Sequence, residues 1–209
     1  MKSADWLPLF KFALKILSHE KVLKSQWSFG GGTALMTYYN HRKSKDIDIF
    51  LRDVQLLTKF TPRLNDYVAE QVDDYTEMSN SLKLKVKQQE IDFIVAPSLT
   101  KTPTLKKIVG NTLIYIETPE EIVIKKIFYR ADAFKTRDVF DLAVVINHKE
   151  NSLLENLDIF KSKIDTLQNR LNILKKIYAI ELKSLDIIDS QTAKDSLKIV
   201  QEFINKLIR

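Results

Sequence analysis

Two aspartates one residue apart, Asp46 and Asp48, stand in an apolar frame of Ile47, Ile49 and Leu51. On a strand, side chains at i and i+2 point to the same face, so this spacing aims both carboxylates one way. Paired carboxylates are ligands for a hard divalent cation. Shortly before them the chain places three of its four glycines in a row, Gly30, Gly31 and Gly32. Glycine permits positive φ and a close approach of backbone to ligand. A helix begun directly after such a turn aims free N–H groups at an anion. An anion cradle beside a carboxylate pair is what a nucleotide with magnesium requires.

A third acid lies further on, in Ile91-Asp92-Phe93-Ile94-Val95. A lone aspartate in such a run is costly to bury unpaired. Glu90 competes for the role, and Asp92 has the better apolar frame. Three converging carboxylates could hold two magnesium ions and drive in-line phosphoryl displacement. The glycine run is not a Walker loop, since no Gly-Lys-Ser/Thr follows it, and it lacks the Gly-x-Gly-x-x-Gly spacing of a dinucleotide fingerprint. Gly31 and Gly32 suffice for the turn, so Gly30 is expected to tolerate alanine best of the three.

These groups need elements to position them. Helical periodicity runs over residues 5–24 through Trp6, Leu9, Phe10, Ala13, Leu14 and Leu17. After the glycines a short helix is expected around 33–39, with Thr33 placed to cap it. His41-Arg42-Lys43-Ser44-Lys45 reads as a basic loop, and the alternation from Asp46 to Leu51 as a strand. Residues 55–70 read as helical, with Pro62 marking a start or break. Strands follow at about 72–78, 82–87 and 90–95, the last two joined at Gln88-Gln89, and another at 113–116. Pro119 with Glu120 and Glu121 opens a helix, with proline in the first turn and acids at the positive dipole end. Helices are expected over 120–130, 137–147 and most of 152–208. From Leu153 to Leu174 apolar residues recur at steps of three and four, a heptad-like seam best read as an internal bundle contact.

The chain has 209 residues, 44% of them hydrophobic and 29% charged, which describes a globular protein with a real core. Its net charge of +6 favours an anionic partner. With no cysteine, disulfides, thiolate metal sites and a cysteine nucleophile are excluded. That composition fits a reducing, cytoplasmic setting. No apolar stretch is long enough to span a membrane. Lys83, Lys85 and Lys87 share one strand face. They read as a solvated edge rather than a track for RNA.

The combination of Gly31-Gly32-Thr33, a short helix and Asp46-Ile47-Asp48-Ile49 resembles the nucleotidyltransferase superfamily of DNA polymerase β. The longer strings Gly31-Gly32-Thr33-Ala34-Leu35 and His41-Arg42-Lys43-Ser44-Lys45-Asp46-Ile47-Asp48 are similar to one branch, the AbiEii/AbiGii toxin family. The resemblance covers about residues 29–142. It implies an α/β (α+β) fold: a polymerase β-like mixed sheet flanked by helices, as a core over residues 1–118, followed by a helical bundle over 119–209. It implies transfer of a nucleoside monophosphate from a nucleoside triphosphate to a hydroxyl, with release of pyrophosphate. Asp46, Asp48 and Asp92 would bind magnesium, or manganese in its place, and one of them would help deprotonate the acceptor. Gly31, Gly32, Thr33, Arg42 and Ser44 would meet the nucleotide. Lys126, with Lys125 second, would meet the triphosphate as a point charge. Asp138, in the Arg137-Asp138-Val139-Phe140-Asp141-Leu142 helix start, would sit near the nucleotide or order that lysine. The implied partners are an RNA, with the tRNA 3′ end as leading target, and an antitoxin protein. The alternatives are a non-catalytic nucleotide-, RNA- or antitoxin-binding module of the same fold, and transfer to protein or small molecules.

Overall fold

The computed structural model describes residues 5–208. Along the chain run α1 (Leu7–His19), a 3₁₀ turn (Lys24–Gln26), β1 (Trp27–Gly30), α2 (Gly31–Tyr39), β2 (Ile47–Leu51), α3 (Gln55–Phe60), α4 (Asp66–Ala69), β3 (Asp74–Met78), β4 (Ser81–Val86), β5 (Gln89–Val95), β6 (Thr104–Val109) and β7 (Thr112–Glu117). Helices α5 (Pro119–Arg130), α6 (Thr136–Leu154), α7 (Leu157–Lys161), α8 (Ile164–Leu174), α9 (Tyr178–Leu182) and α10 (Ser190–Ile208) complete it. The chain divides into two compact units. One holds Met1–Ala34, Ser44–Ser98 and Thr104–Glu117; the other holds Leu35–Lys43, Leu99–Pro103 and Thr118–Arg209.

The first unit is built on a seven-stranded mixed sheet in the order β3-β4-β5-β2-β1-β7-β6. β2 lies between β1, antiparallel to it, and β5, parallel to it. The period-2 pattern of these strands sorts their faces. Ile47, Ile49 and Leu51 of β2 and Ile91 and Phe93 of β5 are buried, while Asp48 and Asp92 take the other face. α1 adds Phe10, Ala13 and Ile16 to the core, with the Phe10 ring 4.7 Å from that of Phe29. Phe60 and Phe93 pack at 4.6 Å.

The structure moves some expected boundaries. The expected helix over 55–70 is two short ones; Pro62 lies between them, and Asn65 starts the second by accepting the Val68 N–H at 3.1 Å. The β4–β5 hairpin turns at Lys87 and Gln88, one residue earlier than expected, with Val86 paired to Gln89 and Lys87 at φ 56°. β6 was not expected. Most of its residues are partly or fully exposed, as on a sheet edge, so its hydrophobic pattern is weak. Gly110 and Asn111, both at positive φ, form its hairpin turn to β7.

The second unit is helical. Thr118 caps α5 by accepting the Glu121 N–H at 3.3 Å, and Pro119 fills the first turn. The seam from Leu153 is spread over the end of α6, α7 and α8, and Leu153, Phe160, Ile164, Leu167, Leu171 and Leu174 are all buried. It is therefore an internal contact, interrupted between α7 and α8, and not one continuous coil. α10 packs along α6, and Phe203 meets Phe160 at 5.4 Å.

Candidate active site

In the sheet unit the carboxylates gather around the end of β1. Gly30 pairs with Asp48, and Asp48 pairs with Asp92 across the parallel β2–β5 ladder. Gly31 opens α2 at φ 70°, a conformation costly for any residue with a Cβ. A Cβ there would also lie 1.8 Å from Asp48 Oδ2, so the acid packs directly on the glycine backbone. Gly30 is constrained as well, against expectation. Its Cβ would meet Glu117 Oε2 at 2.3 Å and the Phe50 ring at 2.6 Å. It is a close-packing glycine and not merely the way into the turn.

Thr33 is fully buried. Its hydroxyl donates to the Asp46 carbonyl at 2.5 Å and lies 2.9 Å from Ser44 Oγ. Both side chains thus hold residues 44–46 against α2. Asp46 Oδ1 accepts the Glu90 N–H at 3.1 Å.

Asp92 has its carboxyl pushed up to about 6, first by burial and then by the Asp48 charge, with Glu90 adding to the rise and Lys83 opposing it. Two abreast acids that repel one another are the donor chemistry a hard divalent cation stabilises. The Asp48–Asp92 pair fits such an ion on that ground. Among the described residues, however, no three acidic or histidine side chains are gathered as a ready metal cluster. Asp46 lies one residue ahead of β2, with one oxygen engaged by the Glu90 backbone N–H.

Lys83 was expected on a solvated edge, but β4 lies between β3 and β5, and Lys83 is partly buried and paired there. It lies opposite Asp92 in the antiparallel β4–β5 register. Its ammonium is 2.6 Å from Glu90 Oε2 and 3.5 Å from Asp92 Oδ2. A cross-strand match to an acid was the signal available, and it depends on knowing the turn.

The helical unit holds a second charged cluster, almost wholly buried. Asp141 accepts from Arg42 Nε at 2.7 Å and Nη2 at 2.9 Å, a bidentate pair, and from His41 Nε2 at 2.7 Å. Lys126 donates to Asp141 and lies 3.0 Å from Asp138 Oδ1, which also accepts from Arg130 at 2.7 Å. Burial alone would raise Asp141, but Arg42 and Lys126, with hydrogen bonds from His41 and Arg42, hold it well below the ordinary value. Asp138 behaves alike: burial and Asp141 push it up, and Lys126 and Arg130 bring it down below the ordinary value. Lys125 goes elsewhere, 3.4 Å from the buried Glu121, whose carboxylate also accepts from Leu99 and Thr100. Of the two candidate lysines, Lys126 is the one beside Asp138.

The backbone of the basic loop is clamped from the far end of the chain. Lys43 N–H donates to the Asp186 carbonyl at 2.8 Å, and the His41 carbonyl accepts from Ile188 and Asp189, each at 2.9 Å. Arg42 and Ile187 form an antiparallel bridge. The segment ahead of α10 therefore backs the His41-Arg42 pair, a task the sequence did not disclose.

A family model described as "Nucleotidyl transferase AbiEii toxin, Type IV TA system" matches residues 15–205. The chain belongs to the AbiEii family. As a member it is a nucleotidyl-transferring enzyme. The match extends through the C-terminal helices, beyond the motifs at 29–142. The fold is like that of a putative nucleotidyltransferase from H. pylori, with 18% identity, a TM-score of 0.56, and 99% of this chain and 97% of that one covered. It is also like ANT(2")-Ia in complex with adenylyl-2"-tobramycin, with 13% identity, a TM-score of 0.55, and 75% of this chain and 97% of that one covered. No curated protein matches in sequence. Among the described residues of this AbiEii-family chain, no helix is long and apolar enough to cross a membrane.

Proposed function

We propose that this AbiEii-family enzyme transfers a nucleoside monophosphate from a nucleoside triphosphate to a hydroxyl of RNA, the tRNA 3′ end foremost, as a cytoplasmic toxin restrained by an antitoxin. The observation that supports it most is the abreast pair Asp48 and Asp92, with Asp48 packed against the Gly31 turn. Asp48 and Asp92, with Asp46 just ahead of β2, would hold magnesium or manganese, which when bound stabilises the phosphoryl oxygens and the pyrophosphate leaving group.

The acceptor oxygen attacks the α-phosphorus, its proton passes to a carboxylate of this set, and the bond to pyrophosphate breaks. Gly31 and Gly32 bring backbone close to the phosphates. Thr33 and Ser44 act by holding the 44–46 segment that carries Asp46. The family resemblance assigns Lys126 to the triphosphate as a point charge, with Asp138 ordering it; in the fold its ammonium is buried against Asp138 and Asp141, so that role requires it to leave Asp141. Arg42 acts indirectly, through Asp141. Exposed Lys43 and Lys45 and the net charge of +6 suit an RNA acceptor.

The test is incubation with each labelled nucleoside triphosphate, magnesium and total tRNA, resolved by gel. Label is expected in RNA and is expected to vanish in Asp48→Ala. No label in RNA with any nucleotide would defeat the RNA reading. A second reading, a small-molecule hydroxyl as acceptor, draws on the adenylylated tobramycin in the ANT(2")-Ia complex. An arm with tobramycin replacing tRNA distinguishes it.

A further inference from the structure

We propose that Lys83 is a built-in cation that competes with the divalent ion for Asp92, so that it sets how readily the carboxylate site takes up metal. The inference rests on the nucleotidyl-transfer reading and concerns a residue to which that reading gives no task.

Lys83 does not follow the rest of its strand face. Lys85, two residues on, is exposed, whereas Lys83 is partly buried and paired. The β4–β5 register sets Lys83 against Asp92. Its ammonium contacts Glu90 Oε2 at 2.6 Å and approaches Asp92 Oδ2 at 3.5 Å. Glu90 is fixed in turn, since its N–H donates to Asp46 Oδ1 at 3.1 Å. Lys83, Glu90, Asp46 and Asp92 are thus linked, and one positive charge sits within a group of acids that would otherwise repel one another.

A divalent ion and an ammonium answer the same negative field. Any ion drawn to Asp92 meets Lys83 as a like charge, and binding must push the ammonium aside or accept the repulsion. That makes Lys83 a positioning residue. It keeps Asp92 in place without metal and lowers the affinity for the first ion to arrive.

Manganese binding to the whole chain, followed by calorimetry and by the electron paramagnetic resonance of free Mn²⁺, tests this without an activity assay. Lys83→Ala and Lys83→Gln should each bind Mn²⁺ roughly three- to tenfold more tightly than wild type. Gln keeps much of the side-chain stem, so agreement between the two separates charge from packing. Lys85→Ala, which removes an equal charge from the same strand, should shift affinity by less. In an Asp92→Asn background the effect of Lys83→Ala should disappear. Equal affinity in wild type and both Lys83 variants would overturn the proposal and leave the transfer reading intact. Absence of Mn²⁺ binding in every form would overturn the metal reading itself, and this proposal with it.

Discussion

Asp48 with Asp92 in the sheet and Asp138 with Asp141 in α6 are both close pairs of acids, and their environments act in opposite directions. In the sheet the acids face each other across a ladder, with one partly exposed lysine at hand, and Asp92 is raised to about 6 by burial and by its neighbour. In α6 they are one helical turn apart. Arg42, Lys126 and Arg130 surround them, and both are held below the ordinary value despite deep burial. A deeply buried acid is costly unless cations and hydrogen bonds meet it. The α6 pair carries its counter-charges within the fold. In the sheet pair Asp92 stays raised even with Lys83 beside it, which suits a place where a divalent cation would bind. The difference separates acids whose charge is met within the fold from one, Asp92, whose charge the fold alone disfavours.

The largest effect should come from the satisfied pair. Asp141→Asn leaves Arg42 and Lys126 buried beside a neutral amide and should cost about 3–5 kcal/mol, read by urea unfolding. The pH dependence follows from the sign of the shift. Because the folded protein holds Asp141 below its ordinary value of 3.8, its stabilisation is fully present above that value and is lost as pH falls through the folded one. Wild type should lose stability in that acid window, and Asp141→Asn should lose less there. A variant as stable as wild type at pH 7 would break the comparison.

The sheet pair should respond the other way. Asp92→Asn in metal-free buffer at pH 7.5 should gain about 1–3 kcal/mol, from a carboxyl raised from 3.8 to about 6, while nucleotidyl transfer collapses. Thermal melts with chelator read the first part and label transfer the second. Lost stability would show that the two pairs are not opposites. A smaller effect sharpens the contrast. Gly30→Ala crowds Glu117 and Phe50 but touches no charge of the Asp48–Asp92 pair. It should cost about 1–2 kcal/mol and leave Mn²⁺ affinity unchanged.

Much of this was legible in the sequence where spacing alone carries the meaning. The Asp46-x-Asp48 alternation, the glycine turn, Asp92 in its apolar run and the proline-led start of α5 are local patterns, and each lies where its pattern puts it. What escaped depends on partners far along the chain. Lys83 shares its alternation with the exposed Lys85, and only the turn at Lys87 and Gln88 sets it against Asp92. Gly30 looked expendable because the side chain that confines it, Glu117, belongs to β7. Arg42 looked like a nucleotide contact because nothing local announces a buried Asp141 beside it. Thr33 and Ser44 sit within one motif, yet a string does not tell a hydroxyl facing ligand from one tying two turns together.

The clamp on the basic loop has a consequence for how the molecule is made. His41 and Lys43 find their backbone partners in Asp186, Ile188 and Asp189, which lie just ahead of α10. A ribosome completes the glycine turn, Asp48 and Asp92 long before it reaches those residues. The growing chain therefore carries its glycine turn and acids while the loop that follows the turn still lacks the segment that pins it. Asp141 too is made earlier than the segment that backs its histidine and arginine partners. The buried cluster around Asp141 gains its last backbone clamp only when synthesis is nearly over.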